Sequence, residues 1–399
     1  MKLISAFSHC SDESEAVIDL SSQIPDDINP SLILCYFTEE YSAKALKNQL
    51  TQQFPDTPIQ GCTSCRGILT EKGFHRGPVV GLMILADSQS TSAYGTGISD
   101  GCLVSAAQST KKVLREAIQN SGRVGELPSL IIVHATPGFE EPVIDAIYQE
   151  FGTLVPLIGG SAADHSLEGK WHVFTEQATS QEGISISVLF PSSPCETGFH
   201  TGYSTTGVSG EVTKVGHRSI LEIDHKPALD VYQTWCQSLG NHIVDEQSLF
   251  ATTNLFPLGR IVGSIDYQPI YKLSHPVKTS SNGEGIELFT EIAEGERVHL
   301  MTGSKERLIS RAGKVIQLTN DACIDMGEPL GAINIFCAGS MLHIESAMNT
   351  VCEQVHSALK NQPFICPFTY GEQGRFENGI NAHGNLMVSS VVFHQSKRV

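Results

Sequence analysis

The sequence predicts a mixed α/β fold: repeated strand-helix-turn-strand units forming layered sheets, with an inserted strand-rich mixed domain. Three observations carry this expectation. Apolar strand-like runs recur at 32–38, 130–136 and 333–339. Each precedes a stripe of apolar residues spaced by three and four, the pattern of a helix packed on a sheet. Each stripe then leads to a Pro- and Gly-bearing turn, at 58–67, 156–164 and 367–374. Glycines in such turns let a backbone approach a ligand or another backbone closely.

Residues 1–7 are apolar and are soon broken by His9, Asp12, Glu13 and Glu15, so they read as a first strand and not a signal peptide. In unit one, Ala43, Leu46, Leu50 and Phe54 share a helix face, and the nearly continuous run 79–85 suits a closing strand buried on both faces. An extra helix over about 100–120 follows, with Ser99 or Asp100 as cap and Gly122 as its end. Unit two has the face Val143, Ile147 and Phe151. Its closing strand 184–190 alternates Ile184, Ile186 and Val188 with serines, predicting one wet or polar face.

Residues 190–194 carry two prolines and form the best linker. Hairpin signals follow at 198–202 and around Gly216-His217, then a helix over 227–239 with Pro227 in its first turn. The segment 259–316 reads as strand-rich, broken by Gly283, Gly285 and Gly295. Unit three begins near Gly331, with the helical face Ile344, Met348, Val351, Val355 and Leu359 and a closing strand at 386–393.

The chain of 399 residues carries 26 Lys+Arg against 43 Asp+Glu, a net charge of -17. This charge argues against nucleic acid and anionic membrane as main partners, since both require a basic surface. No run approaches the roughly 18 apolar residues of a membrane span, and a cytoplasmic location is expected. The 11 cysteines include Cys35, Cys337 and Cys352 in apolar segments, so reduced buried thiols are expected.

Several pieces, taken in order, resemble the FIST family of sensory modules. They are Gly61-Cys-Thr-Ser, Gly159-Gly-Ser-Ala-Ala-Asp164, Gly202 through Gly207 with 212–215, and 223–232. Phe256-Pro-Leu-Gly259, 294–298 and Tyr370-Gly-Glu372 complete the set. The resemblance covers nearly the whole chain and divides it into an N-terminal half, 1–220, and a C-terminal half, 221–399. It implies a small-ligand sensor and not an enzyme. One subset of the family is similar to nitric-oxide sensors that bind haem b and regulate a histidine kinase or a cyclic-di-GMP enzyme. Amino acids or other metabolites are the alternative ligands. A chain of this size without an output domain is expected to report through another protein.

Haem needs an axial ligand, most often His. His275, followed by Pro276, is the favoured candidate, with His134, His165 and His343 behind it. The absence of C-x-x-C-H excludes covalent c-type attachment. Gly159, Gly160, Ser161 and Asp164 invite ligand contact. Ser161 as a hydrolase-like nucleophile is the alternative, although Gly-x-Ser-x-Gly is absent and no base can be named. Tyr370, Gly371 and Glu372 form the sharpest polar signal, suited to an amine or to backbone amides. Arg260 suits a carboxylate or haem propionate. Cys62 and Cys65 form a lone C-x-x-C, for which buried thiols compete with metal or redox use.

Overall fold

A computed structural model describes residues 1–100, 106–243, 249, 252–281, 283–322 and 326–396. The chain forms three copies of one unit and one inserted domain. Unit one runs β1 (Lys2–Ser8), α1 (Glu13–Ser22), β2 (Leu32–Phe37), α2 (Ala43–Gln53), β3 (Ile59–Thr63), β4 (Gly67–Thr70), β5 (Gly73–Arg76) and β6 (Val80–Ala86). Asp12 caps α1 by accepting from the Ser14 and Glu15 amides, and Ser42 caps α2. Unit two repeats the order: β7 (Ala93–Asp100), α3 (Ala106–Ser121), β8 (Leu130–Ala135), α4 (Glu140–Phe151), β9 (Leu157–Ser161), β10 (Val173–Thr175), β11 (Thr179–Ser180) and β12 (Gly183–Phe190).

Unit three opens with β13 (Cys195–Thr201) and is interrupted there. The inserted domain comprises β14 (Ser204–Gly216), β15 (Ser219–Ile223), β16 (Lys226–Pro227), α5 (Ala228–Ser238), β17 (Leu258–Ile265), β18 (Gln268–Ser274), β19 (Pro276–Thr279), β20 (Ile286–Leu288) and β21 (Arg297–Thr302). The unit resumes with α6 (Lys305–Ala322), β22 (Pro329–Cys337), α7 (Ala338–Ile344), a 3-10 turn, α8 (Met348–Ala358), β23 (Phe364–Thr369), β24 (Glu372–Arg375), β25 (Asn381–Gly384) and β26 (Met387–His394).

The three units build three sheets of identical order: β1-β6-β2-β3, β7-β12-β8-β9 and β13-β26-β22-β23. Within each, the two middle strands of the unit run parallel across a helix: β2 with β3, β8 with β9, β22 with β23. Each sheet is completed by a hairpin from a different unit. β10-β11 joins β3, β24-β25 joins β9, and β4-β5 joins β23. The exchange is cyclic, so the units form a closed ring with three-fold pseudo-symmetry. Backbone bonds seal it: the Cys65 amide donates to Phe368 O, Ala163 to Thr63 O, and Tyr370 to Ser161 O.

Core packing follows the same plan. The inward faces of all three sheets share one core that includes Leu34, Tyr36, Ile132, Ile158, Ile333, Ile335 and Val391. The opposite faces pack under helices, as Ile33, Cys35 and Phe37 do in unit one and Ile131 and Val133 in unit two. Strands buried on both faces explain the continuous apolar runs. The inserted domain is an eight-stranded antiparallel sheet with its own core around Val212, Tyr232, Leu258 and Leu300.

Several expectations change. The extra helix is the first helix of unit two, α3, preceded by β7. Gly122 ends it with φ +72, while its N-terminal cap lies outside the described residues. The 198–202 hairpin signal falls on β13 and the residues just after it; β13 pairs with β26, so the insertion lies inside unit three. The strand-rich reading of 259–316 missed α6, whose buried face is Leu308, Ala312, Val315, Ile316 and Thr319. The serine face of β12 is dry: Ser185 and Ser187 are fully buried and bond to the Gln60 amide group. The division after residue 220 falls within β15, and Pro227 stands just before α5 rather than in its first turn.

Candidate functional site

The turn after β9 brings Ser161 to the centre of a buried polar cluster. Ser161 Oγ donates to Glu140 Oε1 at 2.8 Å. Glu140 opens α4, where the Gly138 amide donates to both of its oxygens. Arg218, in the β14–β15 turn of the inserted domain, donates from one terminal nitrogen to Glu140 Oε2 at 2.9 Å and to Glu141 Oε2 at 2.7 Å. Its other terminal nitrogen donates to Phe289 O. The Glu291 amide donates to Glu141 Oε1.

The hairpin β24-β25 from unit three closes the other side. Gln373 Nε2 lies 3.3 Å from Ser161 Oγ and 3.4 Å from His383 Nδ1. His383 Nε2 and Gln373 Oε1 are buried with no hydrogen-bond partner. Lys272, on β18, lies within electrostatic reach of Glu141; burial and the nearby Arg260 charge lower its pKa to about 8. Burial would raise the Glu140 carboxyl, but the neighbouring His383 and Arg218 outweigh it and hold it below its ordinary value.

The structure thus gathers Ser161 with Glu140, Glu141, Arg218, Gln373 and His383, five residues the sequence reading did not select. Glu140 and Glu141 look like ordinary helix-start acids, and His383 lies in no motif. Only the fold juxtaposes them.

The other selected residues serve mainly to build the site. A Cβ on Gly159 would lie 1.9 Å from Val133 O, one on Gly160 2.5 Å from Thr369, and one on Gly371 2.2 Å from the His383 ring. These glycines allow strands and the imidazole to pack closely. Asp164 accepts from the Ser166, Leu167, Glu168 and Lys170 amides and from the Tyr370 hydroxyl. Burial opposes its charge, but these hydrogen bonds hold its pKa low. Tyr370 therefore clamps this loop. Glu372 is buried, accepting from Thr369 Oγ1 and the Met387 amide, and burial raises its carboxyl well above the usual range. Arg260 is 4% exposed and bonds Glu291 O, Glu296, Ser274 and Thr290. Cys62 and Cys65 are buried; burial pushes Cys65 up to about 12 and Cys62 further.

The surroundings of His275 do not fit an axial haem ligand. The residue is 3% exposed, and Nε2 shares a 3.0 Å hydrogen bond with Thr253 Oγ1. Ligation would break that bond and open a slot beside Phe289. His134 uses both nitrogens, accepting from Tyr36 OH and donating Nδ1–H to Gly160 O. His165 Nε2 meets Glu40, and its Nδ1 accepts from the Arg66 amide. His343 keeps an unpartnered nitrogen. A cavity of about 550 Å³ holds His200, but Glu196, Arg375 and Glu377 make its lining charged rather than apolar.

Burial lowers the His134 pKa to about 4, against which its bond to Gly160 works only in part. The folded pKa lies below the unfolded one, so this imidazole contributes fully above about pH 6.5 and loses that contribution as pH falls toward 4. Between pH 7 and 5 the wild type is expected to lose about 2 kcal/mol more stability than His134→Gln. Equal pH slopes in urea unfolding would refute this.

No helix among the described residues is long and apolar enough to cross a membrane. A search of curated proteins finds no match. Among solved structures, a cyanuric acid hydrolase is 7% identical with a TM-score of 0.34, covering 98% of this chain and 99% of its own. PurLQS from Thermotoga maritima is 10% identical with a TM-score of 0.22, covering 99% and 73%. Likenesses at that level carry no argument about fold or chemistry. The family comparison is decisive: the FIST N domain matches residues 31–226 and the FIST C domain matches 228–375. Together those two matches span most of the three-unit ring and the inserted domain, and the chain belongs to the FIST family of signalling sensor domains.

Proposed function

We propose that this chain senses a small polar ligand seated where unit two, the unit-three hairpin and the inserted domain meet. One observation carries the reading. The buried cluster is assembled from all three bodies and retains unsatisfied polar atoms on Gln373 and His383. A ligand there would contact all three at once. Its affinity would then depend on how the inserted domain sits, which is the condition for coupling binding to conformation.

The lining selects the chemistry. Glu140 and Glu141 favour a positively charged group, and Lys272 favours an anionic one. An amino acid supplies both. The bound state is read by a signalling partner of the histidine kinase or cyclic-di-GMP enzyme class, in the cytoplasm, by binding rather than turnover.

Thermal unfolding with a panel of amino acids and amines tests this. A ligand at 100 times its Kd stabilises by about 2.7 kcal/mol, a rise of roughly 2–5 °C. The rise is expected in wild type and lost in Glu141→Gln. A panel without any shift sinks the amino-acid reading. A haemin arm addresses the haem alternative: a stoichiometric Soret band that His275→Ala abolishes would restore it.

A further inference from the structure

We infer that Glu140, Glu141 and His383 form a binding site for a first-row divalent cation. The inference rests on reading this junction as the ligand seat and names one of its ligands. One oxygen from each carboxylate and one His383 ring nitrogen lie within 4.8 Å of one another. Three donors sharing a cation at about 2.0–2.2 Å stand roughly 3.0–3.6 Å apart. Side-chain rotations that move the donor atoms by about 1 Å would therefore close the set.

Independent observations point to a missing partner. His383 Nε2 and Gln373 Oε1 have none, although each residue is only 2% exposed. Buried polar atoms are nearly always satisfied. The Gln373 amide lies directly against the cluster, beside Ser161 and His383. Supporting contacts already orient the carboxylates. Ser161 and the Gly138 amide hold Glu140, and the Glu291 amide holds Glu141, without adding another charged side chain.

The donor set narrows the metal. Calcium and magnesium prefer oxygen donors throughout, whereas an imidazole with two carboxylates suits zinc or manganese. The cation would compete with Arg218, whose one nitrogen now bridges Oε2 of both glutamates. Arg218 stands on the inserted domain. Loading the site would therefore remove two charge-assisted bonds joining that domain to unit two.

The test uses the full chain, stripped with chelator and titrated by calorimetry with Zn2+, Mn2+, Mg2+ and Ca2+. Metal content is measured after dialysis. One equivalent of Zn2+ or Mn2+ is expected, with Mg2+ and Ca2+ at least tenfold weaker. Glu141→Gln and His383→Gln should each weaken the preferred ion at least tenfold, with circular dichroism confirming the fold. Arg218→Gln should bind more tightly and show a larger metal-dependent rise in Tm than wild type.

Failure to retain Zn2+ or Mn2+, or equal affinity in wild type, Glu141→Gln and His383→Gln, overturns the inference. If metals fail while an amino acid still raises Tm in a Glu141-dependent manner, the cation falls and the ligand seat stands. If neither acts, both fall.

Discussion

Arg218→Ala is expected to destabilise the folded chain by about 3–5 kcal/mol, the largest effect of any single side-chain truncation at the site. The guanidinium side chain is 13% exposed, and its two carboxylate partners are 4% and 14% exposed. Removing it leaves one buried and one largely buried carboxylate without their direct ionic partner. The wild-type pair need not be worth that much, because both ions were desolvated to form it. The cost belongs to breaking it. Adding Glu140→Gln should therefore restore a substantial part of the loss, giving a coupling energy of a few kcal/mol in a double-mutant cycle. Denaturant unfolding of the four proteins measures it. Strictly additive single effects would show that Arg218 acts through packing alone.

Gly159→Ala is expected to cost about 3 kcal/mol, although it adds a single methyl group. The new Cβ would lie 1.9 Å from Val133 O and 2.8 Å from Val133 Cγ1. The first contact is backbone within the parallel β8–β9 pair, so no rotamer change relieves it. One strand must move, and with it the Ser161 turn. Gly216→Ala makes a suitable control: its nearest neighbour would be 3.6 Å away. Its stability should change by no more than about 0.5 kcal/mol. A loss at Gly159→Ala no larger than that at Gly216→Ala would refute close approach as its cause.

The repeated units were legible because burial leaves a periodic mark. Leu32–Phe37 and Leu130–Ala135 are buried on both faces, so every residue is constrained and the strands stand out. The helix stripes of α2 and α4 were equally plain. In contrast, α6 was hidden by its polar exposed face and by the strands before it, though its buried positions follow helical spacing. The break in unit three was also hidden. Nothing local to β13 says that its sheet partner is β26, nearly two hundred positions later in the chain.

The site was less legible still. Ser161 and its glycines were marked by their turn, and Asp164 and Tyr370 by neighbouring motifs. Their roles depend on partners far away: Tyr370 donates to Asp164, and Glu372 bonds the Met387 amide. Arg218, Glu141 and His383 carry no individual sign of function.

The sequence by itself determined the α/β class, the threefold recurrence and the positions of the tight turns, because periodicity and Gly/Pro chemistry act over a few residues. Tertiary structure alone decided the cyclic exchange of hairpins and the meeting of Glu140, Arg218 and His383. Hairpin exchange and side-chain convergence are long-range events. They depend on which sheet edges and charged groups the folded backbone brings within hydrogen-bond distance, and a linear pattern does not encode that proximity.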